Sequence, residues 1–279
     1  MDQPIRLGFS PCPNDTFIFD ALVHQRINSP LSWEVKLDDV ETLNGWAEEH
    51  VLDVAKVSYH AFGRIAQDWW MLRSGGALGR GVGPLVVACD ANQRLEGARI
   101  ATPGGRTTAN LLLDLYSSDA FERVIMRYDE IMPAVEDGRV DAGLIIHESR
   151  FTYAEHRLHE IVDLGSWWER TTGQVIPLGG IAVRRSLPTE TIDEIARAIR
   201  ASVEYAFAHP TASEDYVAMH AQEMLPDVRR KHIETYVNEF SLDVGPEGIR
   251  AVRHLLEHAA KIGRIPAPPD GLFWTTFGA

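Results

Sequence analysis

The 279-residue chain is 45% hydrophobic and 24% charged, ordinary globular values, and is long enough for one large or two medium domains. Its formal net charge of -13 argues against a nucleic-acid backbone as partner, since such binders need a basic face. No apolar run approaches the ~20 residues that span a bilayer, no signal peptide is visible, and two cysteines are too few for a disulfide framework, so a reduced, cytoplasmic protein is expected.

Ile5 to Ser10 predicts a first strand. In Pro11-Cys-Pro13-Asn14-Asp15-Thr16 two prolines remove N–H donors and fix φ. A rigid loop is expected there, with Asn14, Asp15 or Thr16 capping a helix that begins near Phe17. Such a helix start points N–H groups at the sheet edge, where an anion can bind, although structural capping alone also explains the residues. Cys12 has no histidine near it in sequence, and a buried, inert thiol is expected rather than a nucleophile.

Trp33 to Leu37 predicts a second strand, Glu41 to Glu49 a helix, and Asp53 to Tyr59 a third strand whose end carries Lys56, Val57 and Ser58. Ser74 to Gly83 is glycine-rich but holds neither G-x-G-x-x-G nor G-x-x-x-x-G-K-[ST], so it reads as a flexible loop feeding a strand from Pro84 to Ala88. A new strand runs from Arg99 to Thr102. The stretch Pro103-Gly-Gly-Arg106-Thr107-Thr108-Ala109-Asn110 then leads into a helix from Leu111 to Tyr116. Thr107 or Thr108 is a natural N-cap, and the helix start carries the positive end of the dipole. With Arg106 alongside, this is the best anion site in the sequence, suited to a carboxylate; a capped helix with nothing bound is the alternative.

Ala142 to Ile146 is a short apolar run, entered from the turn Asp137-Gly138, with the composition of a strand buried on both faces. It ends in His147-Glu148-Ser149-Arg150. Ligands of open α/β sheets sit outside the carboxyl ends of the strands, so the His147 imidazole is placed for chemistry; a histidine that only closes the strand by bonding to backbone is the alternative. The unit repeats an earlier one. With Asp141 aligned on Asp53, Ile131 falls on Leu43, Val135 on Ala47, Val140 on Leu52 and His147 on Tyr59.

Asp163 to Trp168 reads as a strand end with bulky aromatics, and Leu178 to Val183 as a strand with glycines suited to a hinge. Three scaffold helices are predicted over Pro188 to His209, Pro226 to Phe240 and Pro246 to Gly263. His156 and His159 have H-x-x-H spacing, but H-E-x-x-H is absent and no carboxylate-rich cluster accompanies them, so no metal is expected.

Two α/β units imply a chain that leaves one lobe and returns to it: a discontinuous lobe of residues 1–89 and 179–279, and an inserted lobe of 90–178. The cleft between them would be lined by 11–16, 56–59, 104–110 and 147–150. This arrangement resembles the two-lobed type 2 periplasmic-binding-protein fold, in which the lobes close about a small ligand.

Four long motifs, Ser10 to Phe19, Arg73 to Pro84, Gly143 to Tyr153 and Tyr236 to Gly245, resemble those of the 1,4-dihydroxy-6-naphthoate synthases. The resemblance implies a lyase of the futalosine route to menaquinone. It would convert cyclic dehypoxanthine futalosine to 1,4-dihydroxy-6-naphthoate, with loss of the sugar-derived fragment, aromatisation of the new ring and no redox or metal cofactor. Carried over by position, the resemblance implies His147 as proton acceptor and Lys56, Val57, Ser58, Thr108 and Ala109 as substrate-binding residues. Residue chemistry agrees: an unperturbed imidazole is basic and largely neutral near pH 7, the helix start at Thr107–Ala109 suits a substrate carboxylate, and Ser58 offers a hydroxyl. Asn14 and Asp15 are added to the cleft from their position alone. The partner is therefore a small carboxylate-bearing substrate, and oligomeric state stays open. Three rivals remain: a small-anion solute-binding protein of the same fold, which would need export and leave His147 idle; the related chorismate dehydratase, not marked by the Ser10–Phe19 motif; and a regulator's ligand-sensing domain, for which no DNA-binding segment is seen.

Overall fold

The computed structural model describes residues 3–117, 121–221 and 225–275. The chain opens with β1 (Ile5–Phe9), α1 (Pro13–Val23), β2 (Trp33–Leu37), α2 (Val40–Glu48) and β3 (Val54–Ser58). It continues through α3 (Tyr59–Ile65), β4 (Trp69–Met71), β5 (Ala77–Gly79) and β6 (Leu85–Ala88). A second β-α-β-α-β unit follows: β7 (Arg99–Thr102), α4 (Thr108–Tyr116), β8 (Glu122–Ile125), α5 (Ile131–Glu136) and β9 (Ala142–Ile145). Then come α6 (Ser149–Thr152), β10 (His159–Asp163), α7 (Leu164–Thr172) and β11 (Ile176–Arg184). The last part is helical, with α8 (Thr189–Ala208), α9 (Glu214–His220), α10 (Pro226–Tyr236), α11 (Glu239–Leu242) and α12 (Gly245–Lys261).

The two sheets share one plan. The first has the order β2-β1-β3-β11-β4, with β5 also on β11, and the second β8-β7-β9-β6-β10. In each, the three strands of the β-α-β-α-β unit are parallel. The strand that arrives from the other half, β11 or β6, then adds antiparallel to the third. The segments aligned on Asp53 and Asp141 thus become β3 and β9, equivalent central strands. β6 pairs in the second sheet, so the chain crosses before Leu85, ahead of the expected boundary at 89, and it is back in the first sheet by Ile176. All four residues of β6 are buried, a pattern that suits the centre of either sheet. We propose that the lobes follow the sheets, with 85–163 inserted between roughly 3–79 and 176–275.

Several local expectations change. The glycine-rich stretch is packed rather than flexible: it contains β5, and Gly83 meets Gly165 so closely that a Cβ on Gly83 would lie 2.2 Å from the Gly165 Cα. Trp167 and Trp168 sit on α7, not on a strand end, because the Asp163 side chain caps that helix by accepting from the Ser166 N–H. Between the three predicted C-terminal helices lie the short α9 and α11. The second of the three stops at Tyr236, since Asn238 and Ser241 form a reciprocal capping box that starts α11.

One apolar core binds both halves together, running from Leu43 and Val57 of the first to Leu111, Leu112 and Leu144 of the second, with Leu255 and Leu256 of α12 against it. A second cluster packs α1 and α8 on the first sheet through Phe17, Ile195, Ile199 and Val203. No helix among the described residues is long and apolar enough to cross a membrane.

Candidate active site

The helix α1 begins at Pro13, earlier than expected, with Pro13 at N1, where its missing N–H costs nothing. Cys12 is the N-cap residue and makes no side-chain cap. Asn14, Asp15 and Thr16 are therefore first-turn residues rather than caps, and the Asp15 carboxylate turns inward. Its Oδ2 accepts from the Ser10 N–H at 3.2 Å and the Ser10 hydroxyl at 2.7 Å. Its Oδ1 accepts from Asn14 Nδ2 at 2.8 Å and Lys56 Nζ at 2.6 Å. The Lys56 ammonium also donates to the Gly75 carbonyl at 3.2 Å. This is a buried ion pair whose remaining valences are met by hydrogen bonds, the condition under which burial of charge is tolerated.

A pocket of about 90 Å³ lies between the two sheets and gathers all nine expected site residues. Asn14 and Asp15 come from α1, Lys56, Val57 and Ser58 from β3, Thr107, Thr108 and Ala109 from the start of α4, and His147 from beyond β9. Ala77, Val82, Leu178 and Tyr236 supply apolar wall that the sequence did not single out. The pocket is thus polar at the strand ends and apolar around the chain crossings.

His147 has a φ of 57°, left-handed backbone that a histidine adopts uncommonly. Its ring does not close the strand on backbone. Nδ1 lies 3.6 Å from Cys12 Sγ, and Nε2 is buried without a hydrogen-bond partner among the described residues. The ring meets Tyr128 edge-on at 5.0 Å and lies nearly parallel to His232 at 6.2 Å. Burial pushes the imidazole down to about 4, against the pull of the Asp15 charge, so it is neutral near pH 7. Cys12, remote from any histidine in sequence, is next to one in space. Burial raises its thiol well above the usual range, which keeps it protonated and inert.

Ser58 is held twice by Asn44 of α2. Asn44 Oδ1 accepts from the Ser58 N–H at 2.9 Å, and its Nδ2 donates to Ser58 Oγ at 3.2 Å, which leaves the hydroxyl proton to be directed elsewhere. Thr107 caps α4 by accepting from the Asn110 N–H. Thr108 Oγ1 donates to the Leu178 carbonyl at 2.7 Å and so ties α4 to β11. The N–H groups of Thr108 and Ala109 fall in the first turn, where intrahelical acceptors are missing. Arg106, expected beside them, is taken up elsewhere: its guanidinium reaches Glu48 at 2.7 Å and Glu41 at 3.1 Å, two carboxylates of α2. What the start of α4 can offer an anion is therefore backbone N–H groups and the helix dipole, without the arginine.

Of the polar residues that follow His147, Arg150 ties the strand end to the crossing through the Gly83 carbonyl and Asp163. Glu148 is 7% exposed and faces His232 of α10, with Oε2 3.7 Å from Nδ1. His232 was missed, although Val228, His232 and Tyr236 fall four apart on one helix face, which marks the histidine as inward. The H-x-x-H pair is apart from the pocket: His156 faces Glu136 at 3.1 Å and His159 lies exposed on β10.

A neutral buried imidazole, a fixed carboxylate–ammonium pair and a helix N-terminus around one small pocket can remove a proton from a bound anion while excluding water. Residues 5–261 match the family model described as menaquinone biosynthesis. A Thermus thermophilus protein named 1,4-dihydroxy-6-naphthoate synthase is 54% identical over 271 residues, covering 97% of this chain and 99% of that protein. A Streptomyces coelicolor protein of the same name is 49% identical over 274 residues, covering 96% and 97%. Among solved structures, a protein from Archaeoglobus fulgidus superposes with a TM-score of 0.90 at 36% identity, covering 94% of this chain and 98% of that one. The periplasmic aliphatic sulphonate-binding protein SsuA of Escherichia coli superposes with a TM-score of 0.68 at 11% identity, covering 100% and 94%. That likeness shows the fold, which is of the periplasmic-binding-protein type.

Proposed function

Because the chain belongs to the menaquinone-biosynthesis family and is an enzyme of the 1,4-dihydroxy-6-naphthoate synthase type, we propose that it converts cyclic dehypoxanthine futalosine to 1,4-dihydroxy-6-naphthoate with His147 as general base. The observation that carries this reading is the His147 ring: it lines the pocket, its Nε2 has no hydrogen-bond partner among the described residues, and burial keeps it neutral. His147 takes a proton from substrate carbon. The electron pair of that C–H bond then helps expel the sugar-derived fragment, and aromatisation of the new ring drives the step forward. An imidazole depressed to about 4 is a weaker base than usual, so Asp15, whose negative charge favours the imidazolium, supports the transfer.

The substrate carboxylate sits on the first-turn N–H groups of Thr108 and Ala109, and Ser58 donates to a substrate oxygen. The apolar wall of Ala77, Val82 and Leu178 faces the ring that becomes aromatic. Closure of the two lobes keeps water from the reacting centre. A cytoplasmic location goes with this reading. His147→Ala is expected to fold and to bind the product while losing turnover of cyclic dehypoxanthine futalosine by ~10²-fold or more. Near wild-type turnover by that variant would overturn the assignment.

A further inference from the structure

We propose that Glu148 and His232 form a carboxylic acid–imidazole pair that positions Asn14, and through it the Asp15 carboxylate, beside His147. The inference rests on the active-site reading above and adds positioning residues to it. Its starting point is the Asn14 amide, whose direction is fixed at one end. Nδ2 is 2.8 Å from Asp15 Oδ1, and an ionised carboxylate only accepts, so the NH2 group faces Asp15 and Oδ1 faces the other way. His232 Nε2 is 2.9 Å from that Oδ1 and must therefore carry a hydrogen.

A neutral imidazole has one N–H, which leaves His232 Nδ1 with a lone pair. That nitrogen is buried and has no hydrogen-bond partner among the described residues, and Glu148 Oε2 stands 3.7 Å away. A carboxylate there would set lone pair against lone pair in a site shut from water. A carboxylic acid closes the gap with an O–H···N bond after a shift of under about 1 Å. The other arrangement, imidazolium against carboxylate, is opposed by complete burial of His232 and by the neighbouring Lys56 and His147. The proton accordingly stays on Glu148.

The pair matters to the reaction because Asn14 is one of the donors that fix the Asp15 carboxylate. Lys56 and Asn14 share one carboxylate oxygen while Ser10 holds the other. Releasing Asn14 removes one of the two donors on Asp15 Oδ1 and lets the carboxylate shift beside His147, and a misplacement of about 1 Å can cost up to ~10²-fold in rate.

The test combines ring-nitrogen NMR with kinetics. In protein labelled with ¹⁵N-histidine, with His232 assigned by comparison with His232→Gln, the wild type at pH 7 should show a protonated Nε2 and a bare Nδ1. An imidazolium or the opposite tautomer at His232 would overturn the proposal. Glu148→Gln, whose amide can still donate to Nδ1, should keep kcat within about threefold of wild type. Glu148→Ala should lower kcat about tenfold or more while KM for cyclic dehypoxanthine futalosine stays within about twofold, since the carboxylate seat is untouched. Equal losses in both variants, or none in either, would also overturn it. His147→Ala separates the two readings: if it is inactive while Glu148→Ala is intact, only the positioning pair fails. Should Glu148→Ala not fold, infrared spectra of the folded wild type and Glu148→Gln at pH 7 decide: a protonated-carboxyl C=O band lost in Glu148→Gln supports the pair, and its absence from the wild type overturns it.

Discussion

The chemistry of the pocket is set by what each charged or polar side chain is allowed to face. His147 loses most of its proton affinity to burial, with about 4 in place of 6.5, while Asp15 and Lys56 beside it spend their charges on each other. The acid limb of kcat/KM should therefore lie near pH 4, with activity level from about pH 5.5 to 8; a midpoint near 6.5 would show that His147 is exposed in the working enzyme. Stability follows the same group. In the unfolded chain the imidazole protonates near 6.5, so its contribution is fully present above that pH and is lost as the pH falls toward about 4. Urea midpoints measured from pH 7 to 4 should fall less steeply for His147→Gln than for the wild type. Asp15→Ala leaves the Lys56 ammonium buried without its carboxylate, and a loss of about 3–5 kcal/mol is expected in urea denaturation. Which residue types occupy the site was legible in the sequence. The partners were not, because Cys12 lies 135 positions from His147 and Asn14 lies 218 from His232.

Helix starts and strand ends do most of the positioning. Thr107 caps α4 and lines the pocket at the proposed carboxylate seat, so Thr107→Ala should cost about 1 kcal/mol of stability by thermal melting and also raise KM, whereas a cap without a ligand would change stability alone. At the first crossing, Gly83 and Gly165 allow two backbones to touch. Gly83→Ala should destabilise by about 1–3 kcal/mol or more in the same melts, because both sides of the contact are main chain and cannot yield by turning a side chain. Most regular elements were foreseen from local pattern. The exceptions follow from competing local signals: two prolines read as a loop also suit N1 of a helix, and a run of glycines reads as mobile until a second backbone packs on it. Arg106 shows the same limit, since nothing local to it announces that Glu41 and Glu48 will take its guanidinium.

At the scale of the whole molecule, two sheets of one plan place equivalent strand ends on opposite sides of a shared pocket, and β6 and β11 carry the chain across. A ligand held by both halves stabilises the folded state by mass action. The naphthoate product at about 100 times its Kd should raise the unfolding free energy by roughly 2.7 kcal/mol, seen as an upward thermal shift that His147→Ala retains and Thr107→Ala weakens. The amino-acid order alone settled the two repeated α/β units, the strand end that carries His147, and the capped helix start at Thr107, because burial pattern, turn residues and caps act over a few neighbouring residues. Sheet membership of β6, the loss of Arg106 from the site, and the arrival of His232 and Cys12 around the base came only with the folded chain. Those outcomes depend on where segments between 58 and 218 residues apart come to rest, and no local preference encodes that distance.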